Sequence, residues 1–109
     1  MEKTMAVVVK LKWTDSSVNP IQHRVEYAVG EDQFATQDTI TVAEGHEPGV
    51  TEYKYEVNTS YPESTTVRYR IVTIGITGAE VNGSEISVDV PGQYDIQPIT
   101  TLAATVEVT

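Results

Sequence analysis

The stretch Val67-Arg68-Tyr69-Arg70-Ile71-Val72-Thr73 sets Val67, Tyr69, Ile71 and Thr73 against Arg68, Arg70 and Val72. Successive side chains of a strand point to opposite faces, so this alternation predicts a half-buried β-strand. The same period recurs on either side. Upstream, Val7, Val9, Leu11 and Trp13 alternate with Val8, Lys10 and Lys12, and His23, Val25, Tyr27 and Val29 alternate with Gln22, Arg24, Glu26 and Ala28. Ile40 and Val42 mark a shorter strand, and Tyr53, Tyr55 and Val57 alternate with Lys54 and Glu56. Downstream, Ile86, Val88 and Val90 alternate with Ser87 and Asp89. Turn signals lie between them: Asn19-Pro20, Gly30-Glu31-Asp32, Pro48-Gly49, Tyr61-Pro62, a loop bounded by Gly75, Gly78 and Asn82-Gly83, then Pro91-Gly92. Six strands with this spacing predict an all-β, two-sheet antiparallel sandwich.

Composition agrees. Val, Ile and Thr number 16, 8 and 15, whereas Leu occurs twice. Stiff β-branched side chains suit a pleated strand, and helical cores lean on Leu and Ala. The length of 109 residues is that of one domain. There is no cysteine, so the fold needs no disulfide and offers no thiolate chemistry. With Met1 read as a start, the apolar run from Ala6 to Val9 is too short for the core of a signal peptide, so export by the common secretory route is not expected. No stretch approaches the length of a membrane span.

The net charge is −9, and from Ile71 onward there are five acidic residues and no basic one. Phosphate binding needs clustered Lys and Arg, so nucleic acid is not an expected partner.

The strands resemble those of a fibronectin type III domain, within the wider group of immunoglobulin-like sandwiches. Val9-Lys10-Leu11-Lys12-Trp13 is similar to that family's B strand with its core tryptophan, and His23-Arg24-Val25-Glu26-Tyr27 to its C strand. Tyr61-Pro62 with Val67 to Thr73 is similar to its E–F corner and F strand, and Ser84 to Val90 to its G strand. The resemblance implies an A strand before B, pairing along the sheet edge. Only Met1 to Met5 precede the B-like strand, too few for a strand and a turn.

The family pattern ends near Pro91. The reading therefore divides the chain into a sandwich over 1–91 and a C-terminal extension over 92–109. Within the extension Leu102, Ala104, Val106 and Val108 alternate with Ala103, Thr105 and Glu107, which predicts an additional strand over 101–108. One strand is lacking at the start and one is in surplus at the end. The surplus strand is expected to fill the vacant edge, in the same sandwich or in a neighbouring copy, because proteins cover exposed edges.

A search for chemistry yields no catalytic set, so an enzyme is not expected. His23 falls among core positions and reads as a satisfied interior histidine. His46 stands between Glu44 and Glu47 in a turn, without the ligand spacing of a zinc site. Glu31, Asp32 and Asp38 lack the alternating ligands of a calcium loop. No metal, cofactor or catalytic residue is expected. Arg24, Arg68 and Arg70, continued by Val72 and Ile74, share one outer face and form a candidate contact surface.

Such sandwiches host many functions. The resemblance implies a structural or interaction module whose partner is protein, either itself or a capsid or tail protein. The leading expectation is a bacteriophage virion protein, decorating the capsid or associated with the tail. The alternative is a spacer, adhesin or carbohydrate-accessory module of a bacterial surface or secreted protein, with an extracellular or cell-surface location.

Overall fold

The structure, a computed structural model, describes residues 7–92 and 99–108. Among these the chain forms seven strands: β1 (Val7–Thr14), β2 (Pro20–Val29), β3 (Ala35–Thr41), β4 (Glu52–Thr59), β5 (Thr65–Gly75), β6 (Glu80–Asn82) and β7 (Ile86–Val90). All pair antiparallel, in two sheets. One holds β1 and β4 alone. The other runs β3-β2-β5-β6, with β7 also on β5.

The two sheets share one core. Val9 and Leu11 of β1 and Val57 of β4 meet Val25 of β2, Val67 and Tyr69 of β5 and Val90 of β7. Each belongs to the inward row that alternation predicts. The outward rows carry Lys10, Lys12, Lys54 and Glu56 on the small sheet and Arg24, Glu26, Arg68 and Arg70 on the large one. The all-β, two-sheet expectation therefore holds, in a sandwich-like arrangement.

β6 and β7 both flank β5 on the side away from β2, against Val72–Ile74 and Thr65–Tyr69 respectively. They are two pieces of one sheet edge. In the sequence Glu80-Val81-Asn82 reads as part of a loop, because three residues are too few to show a period. The break between the pieces is tight. Gly83 N–H donates to Ile71 C=O at 2.8 Å, and a Cβ at residue 83 would stand 2.7 Å from that oxygen. Gly83→Ala is expected to push β6 off β5 at a cost of about 2 kcal/mol, measurable as a lowered urea midpoint with an unchanged slope.

Strand directions follow from the registers. Val7 lies opposite Thr59 and Thr14 opposite Glu52, while Val90 lies opposite Thr65. The start of β1, the end of β7 and the loop over 60–64 thus share one pole. The β1–β2 loop, the long loop over 42–51 and the β5–β6 turn share the other. Chain leaving β7 exits at the first pole.

The expected additional strand over 101–108 is not formed in the single chain. Residues 99–108 carry no strand, and 99–108 are exposed throughout, with Leu102 90% and Val106 89% accessible. A strand needs a neighbour for its backbone groups, and here the segment has none. The molecule measures 84 × 28 × 26 Å, with a radius of gyration of 20.8 Å, against about 13 Å for a compact chain of similar length.

Candidate protein-interaction site

The small sheet is too narrow to cover the large one, and the shortfall is on one side. β4 closes toward β3, where Tyr55 Oη donates to Asp38 Oδ2 at 3.0 Å. Neither β1 nor β4 has a further strand beyond it among the described residues, and the uncovered apolar side chains lie on the β1 side. Directly opposed residues of an antiparallel pair point to the same face, so Val81, opposite Thr73, and Ile86, opposite Tyr69, face inward. They are nevertheless 67% and 57% exposed. An inward-facing valine and isoleucine left in water mark where a layer is missing.

The gap is a continuous cleft between β1 and the β5–β6–β7 edge. One part, about 550 Å³, lies between Trp13–Ser17 and Val81–Ser84, with Ile71 and Thr73 at its base. The other, about 390 Å³, continues along Lys10–Trp13 toward Tyr69 and Ile86. Trp13, Ile71 and Ser84 line both.

The β1 edge beside the cleft is regular. Its eight pairs with β4 run without a register shift. The opposite edge of the molecule is different. β3 carries a bulge where Val25 and Glu26 face Asp38 and Thr36, and six of its seven residues are exposed. A bulge and exposed polar groups blunt an edge against pairing. β1 has the straight run of backbone that pairing needs.

A buried polar cluster holds the far end of the cleft. Trp13 Nε1 donates to His23 Nδ1 at 3.2 Å, and His23 Nε2 lies 2.7 Å from Asp15 Oδ2. The indole N–H can only donate, so Nδ1 is the acceptor and the proton sits on Nε2, donating to Asp15. His23 is fully buried and stands edge-on to the Tyr53 ring, whose hydroxyl meets His46 Nδ1 at 2.7 Å. His46 Nε2 reaches the Ser17 carbonyl oxygen at 3.1 Å. The cluster ties the β1–β2 loop to the long loop over 42–51. His23 is the satisfied interior histidine the alternation predicts. His46 uses both ring nitrogens within the protein, and no metal-binding cluster is found among the described residues.

Burial pushes the Asp15 carboxyl up, but hydrogen bonds from His23 and Ser17 outweigh it and hold the group below its ordinary range. Glu26 follows the same pattern: burial raises it, and Arg70 and Arg24 bring it below. Both carboxylates thus favour the folded state above the ordinary carboxylate pKa of about 4, and that contribution is lost as pH falls through their lowered values. The urea midpoint is expected to fall between pH 5 and pH 2, and Glu26→Gln to flatten that fall.

The structure brings Arg24, Arg68 and Arg70 onto one outer face, but engaged. Glu26 bridges Arg24 at 2.9 Å and Arg70 at 2.7 Å, and Arg24 also pairs with Glu80. Arg68 donates to the carbonyl oxygens of Gly30 and Asp32, and with Arg70 it stacks on Phe34. Val72 is fully buried and Ile74 half-buried, so they offer no apolar contact patch. The Arg24–Glu80 bridge runs from β2 to β6 and so passes over β5, closing that face. Leu102, Ala104, Val106 and Val108 are all exposed.

Alternation located β1 and its inward residues, but not the exposure of Val81 and Ile86. A period reveals which face a side chain takes, and nothing about what stands opposite. Comparison with protein-family models, with curated proteins and with solved structures gives no match.

Proposed function

We propose that this chain is a non-catalytic structural module, a fibronectin type III-like sandwich whose small sheet holds only β1 and β4 among the described residues, that joins an assembly through the open β1 edge. The observation that carries the reading is the regular, unaccompanied β1 beside a cleft where Val81 and Ile86 face inward yet stay in water. Edges of this kind template strand addition, in which main-chain hydrogen bonds give affinity and pockets for alternate side chains give specificity. The order β1-β4 against β3-β2-β5-β6/β7 supports the family resemblance, with β1, β2, β5 and the β6–β7 edge in the places of B, C, F and G.

A non-catalytic role is favoured by the state of the Asp15–His23 pair, the nearest thing to acid–base machinery among the described residues. Its histidine is sealed from solvent and its second nitrogen is occupied by Trp13. No substrate could reach it.

The setting we favour is a bacteriophage virion, as a capsid decoration or tail-associated protein, because assembly on a particle supplies the partner strand such an edge requires. Quantitative mass spectrometry of purified particles from the source that encodes the chain is the test. Stoichiometric presence in the particle supports the reading. Recovery only in the cell-surface or secreted fraction would replace it with a spacer or adhesin role.

A further inference from the structure

We infer that the occupant of the cleft is the C-terminal segment 101–108 of a second copy, laid antiparallel to β1 so that copies link head to tail. The inference rests on the reading of β1 as an acceptor edge and adds the identity and direction of its occupant.

The cleft requires a strand with small and medium apolar groups at every second position. Segment 101–108 has them at Leu102, Ala104, Val106 and Val108, and they are exposed in the single chain. With that row turned in against Val81 and Ile86, Glu107 turns out. It then shares the outer face with Lys10 and Lys12 of β1, a favourable cross-strand arrangement.

Direction selects a second copy over the same one. β7 runs toward the pole where β1 begins, so the chain leaves the sandwich already pointing antiparallel to β1. Continued in that direction, it enters the opposite pole of a copy stacked in the same orientation, with no reversal. Antiparallel closure within one chain needs two reversals and a recrossing. β1 is eight residues long, about 26 Å, and residues 92–100 extend at most about 30 Å. Recrossing would use nearly all of that reach and leave none for turning. Donation from one end to the other is a heterologous contact, which propagates as an open chain or closes as a ring.

The test uses full-length protein in light scattering across a concentration series. Wild type is expected to grow in steps of 12.0 kDa. A donor-dead form, Leu102→Asp with Val106→Asp, and an acceptor-dead form, Ile86→Asp, are each expected to weaken self-association at least roughly 100-fold. Mixed, they are expected to form a dimer and stop, since only one intact donor meets one intact acceptor. Should Ile86→Asp loosen the fold, Val81→Asp on β6 supplies the acceptor-dead form. A wild type that stays monomeric at millimolar concentration overturns the inference, whether its tail amides are protected from exchange, meaning closure within the chain, or not, meaning a free tail. Growth that the two variants fail to block overturns it as well. The acceptor-edge reading survives these results while the β1 amides facing away from β4 exchange freely, and it falls if they are protected with the tail free.

Discussion

Tyr69→Ala is expected to cost about 4 kcal/mol, the usual range for truncating a buried aromatic side chain. Tyr69 is only 2% exposed and sits among Val9, Leu11, Val25 and Val67, where both sheets meet. Burial pushes its hydroxyl's pKa up, with Tyr61 nearby adding to the effect. Its ring also forms part of the cleft floor beside Ile86. The substitution therefore opens a cavity that connects to the cleft, so water can enter the core from the uncovered side. A domain of this size has roughly 5–15 kcal/mol in hand. Urea titration is expected to show a much lower midpoint, and association through the cleft is expected to weaken with it.

Asp15→Ala is expected to cost about 3 kcal/mol, although the side chain lies in a loop. The carboxylate accepts from His23 Nε2 at 2.7 Å and from Ser17 N–H at 2.8 Å. Removing it leaves the N–H of a fully buried imidazole without a partner. Taking both partners away together is expected to cost less than the two single losses combined, because the Asp15–His23 bond is then absent from both sides and only the half-buried Trp13 N–H loses its acceptor. Asp15→Ala with His23→Leu should thus regain part of the loss in the same titration. If the single and double variants instead lose stability additively, the two groups are not coupled and the cluster has been misread.

Much of the fold was legible because the small sheet and the centre of the large one obey a period of two. β1, β2, β4, β5 and β7 all declare themselves by alternation, and His23 reads as interior from its place in the β2 row. β6 stayed hidden because three residues carry no period. Alternation puts Val72 on the outward face, where the structure has it, but not in water: the bridge from Arg24 to Glu80 runs across it and it is fully buried. Phe34 gave no signal, since its role under Arg68 and Arg70 depends on contacts between β5 and the chain just before β3. The C-terminal segment was legible as a pattern only. Alternation at Leu102 to Val108 gives the capacity to be a strand, and realising it requires an edge.

The polar features of the two edges support the same account. β3 is defended by its bulge and exposed row, and its face by the Glu26-centred ion pairs. β1 has lysines only on its outward face and no irregularity. An undefended edge next to uncovered apolar side chains is a hazard for a free monomer. That hazard becomes an asset where a strand is supplied.

The most direct measurement is amide hydrogen exchange across β1 in the full chain, from dilute to concentrated protein. At high dilution, the β1 amides directed away from β4 are expected to exchange rapidly while those directed toward β4 stay slow. At high concentration the first set should slow, together with the amides of 101–108. Outward β1 amides that are slow at every concentration would contradict an open edge. Outward amides that stay fast in a concentrated, associated sample would show that the association runs through another surface.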